Sequence, residues 1–248
     1  MHSESERGRT AGAGAGTSSP QGSLAGIGVF APLDATARAA LEVRCAWRRW
    51  RKGEHILDRD GGSDDLHLVI AGRVRVVDFY GSRERFVIFD EIAAGGCFGE
   101  LAAIDRMPRS AYVVAAEETV TAALPADAFI DALFGHREAG MEFLRRLTEM
   151  VRVSDSRIMD ISTLTAQERI HLELLRRAKV GGGRPANTAI IRPSPNHGEM
   201  ASRLSTTRET VSRALGELTR QGIVEREGDA LIVRDLGQLV TLTHRNRE

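Results

Sequence analysis

A seven-residue repeat of apolar side chains, running from about residue 137 to residue 163, constrains this chain more than any other feature. Two positions of each repeat are mostly apolar, and no proline interrupts the segment. A helix with this pattern carries a narrow apolar stripe, which packs best against a partner helix. The repeat therefore predicts one long helix that pairs with another. Its apolar positions are Leu144, Val151 and Ile158 in one series and Leu147 and Ile161 in the other.

One polar residue interrupts the stripe. Ser154 lies midway between Leu147 and Ile161, where an apolar side chain would pack better. Two interpretations account for it: a polar residue fixes the register of the helix pair, or the helix pair holds a ligand at this point. The residues alone leave both open.

The residues before the helix have the pattern of a β domain. Residues 1–24 are mostly Gly, Ala, Ser and Thr, with too little apolar surface to offset the entropy of ordering, so we predict a disordered tail. From about residue 27 to residue 134, short apolar runs alternate with glycine-centred turns. This spacing is typical of antiparallel strands. We therefore predict an α+β chain whose first domain is an antiparallel, jelly-roll-like β-roll.

After the long helix, the pattern changes to short helices and a hairpin. Thr165 and Glu168 fit a capping box that starts a new helix, and a strand follows at residues 188–192. A second helix begins at Asn196, and a third spans about 206–220. Residues 222–235 alternate through a Gly-Asp turn and predict a hairpin wing. The third helix buries Val211, Ala214, Leu215 and Leu218 and presents Arg208, Glu209, Ser212 and Arg213 on its opposite face.

Composition excludes several classes of protein. The 34 basic and 34 acidic residues cancel, although residues from 165 onward hold 14 basic and 10 acidic ones. No apolar run approaches the roughly 18 residues of a membrane span, and the first residues lack a secretory signal, so we predict a cytoplasmic protein without membrane contact. The two cysteines, 52 positions apart, cannot form a four-thiolate cluster within one chain. Clustered metal-binding histidines and a nucleophile triad are also missing from the sequence, so we expect neither a metal nor an enzyme.

The segment FGELAAIDRMPRSA, residues 98–111, has the chemistry of a phosphate pocket. Gly99 lets backbone N–H groups approach an anion, Glu100 can accept hydrogen bonds from sugar hydroxyls, and Arg109 offers a charged fork to phosphate oxygens. Together these residues describe a site for a phosphorylated sugar.

The same segment resembles the phosphate-binding cassette of cyclic-nucleotide-binding domains. With the helix-turn-helix downstream, residues 27 to 235 resemble the cyclic-AMP receptor protein/FNR family of bacterial regulators. The resemblance implies a β-roll sensor at 25–136, a dimerisation helix at 137–164 and a winged helix-turn-helix at 165–248. It also implies a homodimer that binds double-stranded DNA and RNA polymerase under the allosteric control of cAMP or cGMP.

The resemblance assigns roles to individual residues of the sensor. Gly99 and Glu100 would contact ribose and phosphate, and Arg109 and Ser110 would bind the cyclic phosphate. Ser154 and Asp155 occupy the places where the receptor holds the base with two hydroxyls. The carboxylate at Asp155 departs from that pattern, and it could accept the adjacent N–H donors of guanine. Because Asp155 could equally be a solvated helix charge, the choice between cAMP and cGMP stays open.

The segment STTRETVSRALGEL resembles the recognition helix of the receptor. Arg208, Glu209 and Arg213 would read bases, since arginine pairs with guanine and glutamate accepts from cytosine in the major groove. Thr207 and Ser212, with Thr206, would contact phosphate or cap the helix. We expect a G·C-dependent inverted repeat with half-sites about one helical turn apart.

Other readings remain open from the sequence. The chain could be a family member that senses a redox or haem signal, with His67 and Cys97 in the roll as candidate ligands, or one that is active without any ligand. A regulatory subunit that binds ligand without contacting DNA is a further alternative. His67 and Cys97 could also be structural residues of the core.

Overall fold

A computed structural model describes residues 22–79, 86–180 and 186–244. Most of the predicted tail, residues 1–24, lies outside these ranges. Leu24 begins a short 3-10 turn and is fully buried in the core of the roll. The packed part of the chain therefore already includes residue 24, whereas the roll was predicted to begin at residue 25.

Two four-stranded antiparallel sheets form the predicted roll. The first sheet has the order β1 (Ala46–Trp50), β8 (Thr119–Leu124), β3 (Leu66–Ala71) and β6 (Cys97–Phe98), and the second has the order β2 (His55–Leu57), β7 (Tyr112–Ala115), β4 (Arg73–Phe79) and β5 (Phe86–Ala93). Side chains alternate between the two faces of each strand, so apolar residues collect on the inner faces. The buried indole of Trp50 donates to Thr121 Oγ1 across 2.8 Å. The predicted α+β class and the β-roll are confirmed.

Three short helices of the roll were not predicted. They are α1 (Ala35–Arg44), α2 (Glu100–Asp105) and α3 (Ala126–Gly135). Asp34 caps α1 by accepting from the amide of Ala37, and α3 buries Phe129, whose ring meets that of Phe143 edge-on at 5.1 Å. α1 and α3 cover the first sheet, and α2 lies within the cassette.

The predicted long helix is α4 (Arg137–Thr163). Its first half packs on the roll through the buried Ala139 and Phe143, and Leu147 also packs on this core. Leu147 was predicted to lie on the pairing stripe, but the helix has to cover the roll at this point. Leu144, Val151 and Ile158 remain 54, 59 and 61% exposed.

The predicted winged helix-turn-helix follows. Its elements are α5 (Ala166–Arg177), β9 (Ala189–Ile191), α6 (His197–Arg203), α7 (Arg208–Arg220), β10 (Val224–Glu227), β11 (Ala230–Val233) and α8 (Leu236–His244). The capping box between Thr165 and Glu168 is formed, and β10, β11 and β9 make an antiparallel sheet. α8 was not predicted. Within the described residues, no helix is both long enough and apolar enough to cross a bilayer.

Candidate ligand cavity and DNA-contact surface

A cavity of about 370 Å³ lies between the second sheet, the cassette and α4. Leu57, Val76 and Phe89 form part of its apolar wall. The cavity brings together five of the six predicted ligand residues, although they are up to 55 positions apart in the chain. These are Gly99, Glu100, Arg109, Ser110 and Ser154.

The cassette places Arg109 against the backbone of Gly99. The Arg109 Nη1 group donates to the carbonyl oxygen of Gly99 at 2.9 Å, and Nη2 donates to that of Asp65 at 2.8 Å. Gly99 has a φ of +83°, and a Cβ at this position would lie 2.5 Å from Arg109 Nη1. Glycine is required here both for its backbone conformation and for this close approach.

Arg109 is the buried cation of the cavity. The residue is only 4% exposed, and its buried Nε has no hydrogen-bond partner among the described residues. A guanidinium has five N–H groups, and the two carbonyls occupy two of them. Burial lowers the pKa of Arg109, while the carboxylates of Asp65, Asp64 and Glu100 oppose that shift. The side chain is therefore fixed in place with N–H groups still available to an anion.

Glu100 is the buried acid beside it. It is 6% exposed, and its Oε2 atom has no partner among the described residues. Burial raises the pKa of Glu100, although its own amide and Arg146 act in the opposite direction. An unpaired buried carboxyl oxygen is costly, so a hydroxyl donor that reached it would be stabilising.

The second predicted base contact, Asp155, is exposed and does not line this cavity. Two carboxylates that the sequence analysis missed line it instead, those of Asp90 and Glu149. Helical spacing from Ser154 could have indicated Met150, which lies one turn earlier and also lines the cavity. No local signal could have indicated Asp90, because it comes from β5.

His67 and Cys97 point to opposite faces of the first sheet. His67 pairs with Phe98 across β3 and β6, whereas Cys97 pairs with Leu68, so the two side chains cannot bind the same group. The His67 ring stacks on Phe98 at 5.1 Å, and burial, followed by the charge of Arg109, lowers its pKa to about 4. Burial raises the pKa of Cys97 to about 12, the opposite of what a reactive thiol needs.

The described residues hold no cluster of three or more His, Cys, Asp or Glu side chains suited to a metal ion. The second thiol, that of Cys45, also has its pKa raised to about 12, mainly by burial. The raised pKa values disfavour thiolate chemistry at both cysteines.

The second candidate site is the outer face of α7. Thr207 caps this helix, since its hydroxyl accepts from the amide of Thr210 at 3.2 Å. The apolar face predicted for the helix is buried in the core of the domain. The four side chains predicted to face away from it lie together on the exposed surface: Arg208, Glu209, Ser212 and Arg213.

Comparison with known proteins matches both halves of the chain. Residues 47–136 match the model of the cyclic nucleotide-binding domain, and residues 168–242 match that of the Crp-like helix-turn-helix domain. Together the two segments cover most of the roll and nearly all of the winged helix-turn-helix.

Curated relatives extend over most of the chain. The "CRP-like cAMP-activated global transcriptional regulator" of Mycobacterium tuberculosis is 23% identical over 87% of this chain and 96% of its own length. The "Cyclic AMP receptor protein" of Thermus thermophilus is 28% identical over 77% of this chain and 85% of its own length.

Solved structures share the fold. A CooA variant from Carboxydothermus hydrogenoformans superposes with a TM-score of 0.71 at 22% identity, over 83% of this chain and 90% of its own. A CRP/FNR-family transcriptional regulator from Thermus thermophilus gives a TM-score of 0.61 at 22% identity, over 80 and 98% of the two chains. The protein is thus a DNA-binding regulator and not an enzyme, and it belongs to the cyclic-AMP receptor protein/FNR family of bacterial transcription regulators.

Proposed function

We propose that this regulator is a homodimer that binds an inverted-repeat DNA site in response to cAMP or cGMP and acts with RNA polymerase in the cytoplasm. The observation that carries the proposal is the buried Arg109 guanidinium, held against Gly99 at one end of a cavity that reaches Ser154 on the long helix. A cyclic phosphate would bring a negative charge next to this positively charged guanidinium and would accept charge-assisted hydrogen bonds from it.

The cavity supports one orientation of the ligand. The phosphate would lie at Arg109 and Ser110, the ribose hydroxyl at Glu100 and the base towards Ser154. A second cavity of about 800 Å³ adjoins this one, and Asp90 and Glu149 line both, so these two residues lie where the cavities meet. Arg109 lines only the smaller cavity of about 370 Å³. Their carboxylates could accept N–H donors of either purine. The names of the two curated relatives favour cAMP as the first ligand to test.

The exposed stripe of α4 supports the homodimer. Large apolar side chains that are more than half exposed along one helix face are unusual on the surface of a monomer, and the long helix of a second subunit would cover them. Asp155 lies one turn after Val151 on this stripe, so each subunit would present it across the helix pair to the cavity of the other. Ligand bound against Ser154 would then favour one geometry of the helix pair and of the two α7 helices.

Calorimetric titration with cAMP and cGMP tests the ligand. We expect Arg109→Leu to lower the affinity for the preferred nucleotide at least about 100-fold, since two charge-assisted bonds at about 1.5–3 kcal/mol each contribute about 3 kcal/mol or more. Arg106→Leu is the matched control, because Arg106 belongs to the same cassette but is exposed and pairs with Asp64. Equal affinity of the Arg109 variant and the wild-type protein would remove the phosphate site.

Footprinting tests the DNA site. Sequences selected by the wild-type protein from random DNA should contain an inverted repeat, because each subunit carries one α7 helix. Equal protection of a single unrepeated half-site and of the whole repeat would contradict the dimeric mode of reading.

A further inference from the structure

Two carboxylates lie at the end of the smaller cavity that the proposed function gives to the base. They belong to Asp90 of β5 and Glu149 of α4, and both residues lie where the two cavities meet. Neither makes an ion pair with any residue that the structure describes. Asp90 Oδ1 accepts a hydrogen bond from the amide of Glu91 at 2.8 Å. The cavity therefore offers two carboxylates without a cationic partner to whatever base enters it.

Other acids of this neighbourhood are paired with arginine. Asp160 and Glu173 line the larger cavity as well. Arg176 Nη2 lies 2.8 Å from the Asp160 carboxylate, and Arg177 Nε lies 2.6 Å from that of Glu173. Because six arginines line the larger cavity, cations are available nearby. The two carboxylates at the junction are therefore unpaired because of where they lie, and not because the region lacks arginine.

The opposite end of the smaller cavity has the chemistry of a site for a phosphorylated sugar. Arg109 Nε and Glu100 Oε2 are buried and have no hydrogen-bond partner among the described residues. Burial raises the pKa of Glu100, and among the nearby charges that of Asp90 adds to this shift. The Asp90 carboxylate is thus close enough to act on Glu100. A base bound at Asp90 would lie beside a ribose bound at Glu100, as the covalent structure of a nucleotide requires.

The two purines differ in what they offer to a carboxylate. Guanine carries N–H donors at two adjacent positions, N1 and the 2-amino group, whereas adenine has a 6-amino group beside the bare acceptor N1. A carboxylate only accepts, so a pair of carboxylates matches the guanine edge and repels the lone pair of adenine N1. Asp90 and Glu149 are exposed, so a base that covers them removes water from both. Guanine would replace the lost hydrogen bonds, whereas adenine would leave one carboxylate unsatisfied.

We propose that Asp90 and Glu149 select guanine, so that cGMP is the preferred ligand of this regulator; this inference rests on the proposed function. The N1–H and 2-amino groups donate to the two carboxylates, the Ser154 hydroxyl donates to O6, and the phosphate lies at Arg109. Discrimination against cAMP then comes from an acceptor that meets no donor, and a site built on hydrogen bonds discriminates more strongly in this way than by size. The selecting residues come from β5 and α4, and the cassette binds the sugar and phosphate that both nucleotides share.

The first test is calorimetric titration of the full-length protein with cGMP, cAMP and cIMP. The base of cIMP keeps the N1–H donor of guanine and lacks the 2-amino group. We expect cGMP to bind about 30-fold more tightly than cAMP, because one missing hydrogen bond to a charged acceptor lowers affinity about 10-fold to 100-fold. The affinity for cIMP should lie between the other two, since it makes one of the two bonds without the repulsion at N1.

The variants Asp90→Asn and Glu149→Gln sharpen the test, because each replaces a carboxylate by an amide of the same shape. An amide offers a donor and an acceptor, which complements N1 and the 6-amino group of adenine. Each variant should bind cGMP about tenfold more weakly and cAMP at least as tightly as the wild-type protein does, and the double variant should prefer cAMP. Glu142→Gln is the matched control, because Glu142 lies two turns before Glu149 on the same face of α4, pairs with Arg145 at 3.0 Å and lines neither cavity. It should bind both nucleotides as the wild-type protein does.

The outcomes separate this inference from the proposed function. Binding of cAMP as tightly as cGMP, or more tightly, would overturn the selection of guanine and leave the nucleotide site itself standing. An equal loss of affinity for both nucleotides in the Asp90 and Glu149 variants would show that these carboxylates do not read the base, because damage to the cavity does not distinguish the two purines. Failure of the wild-type protein to bind any of the three nucleotides would refute the proposed function, and the choice of base would fall with it.

Discussion

The cavity of the roll and the outer face of α7 use arginine in opposite ways. Arg109 is 4% exposed and is held by two backbone carbonyls, so its geometry is set before any ligand arrives. Arg208 and Arg213 are exposed, and the fold fixes only the helix that carries them. The protein alone fixes the position of the cavity arginine, whereas bound DNA would fix the positions of the two arginines on α7. Substitutions at the cavity should therefore change both stability and binding, and substitutions on α7 should change binding alone.

The largest effect that we expect beside the buried Arg109 is on the pH dependence of the free energy of unfolding. Burial and the charge of Arg109 lower the pKa of His67 to about 4 from its ordinary 6.5. The unfolded chain then binds the proton more readily than the folded one, so stability is fully present above pH 6.5 and is lost as the pH falls towards 4. The loss should reach roughly 3 kcal/mol, because each tenfold difference in proton affinity between the two states contributes about 1.36 kcal/mol. Urea unfolding of the wild-type protein and of His67→Phe between pH 7 and about pH 4 measures it.

His55→Phe provides the control for this experiment. His55 also stacks on a phenylalanine, Phe79, with ring centroids 6.1 Å apart, but it is exposed. The His67 variant should lose most of the acid-induced fall in stability, and the His55 variant should keep it. Equal pH profiles for the two variants would show that burial beside Arg109 does not couple His67 to folding.

A smaller effect is expected from an added methyl group at the cavity. In Gly99→Ala the new Cβ would lie 2.5 Å from Arg109 Nη1 at a φ of +83°, so the guanidinium has to move. We expect nucleotide affinity to fall by about 30-fold, together with a loss of stability of about 1 kcal/mol from the left-handed backbone. Calorimetry and thermal unfolding measure the two quantities.

Gly53→Ala separates these two effects. Gly53 has a φ of +85° and nothing within 4 Å of an added Cβ, so it shares the backbone cost without the clash. The Gly99 variant should lose at least as much stability as the Gly53 variant, and only the Gly99 variant should lose affinity. A similar loss of affinity in both would show that the position of Arg109 is not decisive.

The sequence predicted the periodic elements well. The seven-residue repeat indicated α4 with its observed ends, and the Thr165 capping box indicated the start of α5. The three short roll helices, α1, α2 and α3, were missed because the turn-punctuated pattern of the neighbouring strands dominated the interpretation. Helix propensity and hydrophobic period depend on residues that are close together in the chain, so they predict the elements that such residues determine.

Contacts between distant segments could not be predicted in the same way. The approach of Asp90 to the cavity depends on how β5 meets α4, and the pairing of Glu199 with Arg75 depends on where the second domain lies. Leu147 was placed on the pairing stripe by its heptad position, yet it packs against the core of the roll. In each case a tertiary contact, absent from the local pattern, decided the outcome.

The smallest effect on the folded protein is expected on α7, and it bears most directly on the comparison. Arg213→Ala should weaken binding to selected DNA by about 10-fold to 100-fold, because one bidentate contact to guanine is lost. Its unfolding temperature and its nucleotide affinity should match those of the wild-type protein, since the side chain is exposed. Arg220→Ala is the control at the other end of the same helix, where Arg220 pairs with Glu217. Fluorescence anisotropy with the selected site and with a copy mutated at its G·C pairs distinguishes lost base reading, which weakens only the first, from lost phosphate contact, which weakens both equally. A variant that bound both DNAs as tightly as the wild-type protein does would show that Arg213 does not contact DNA.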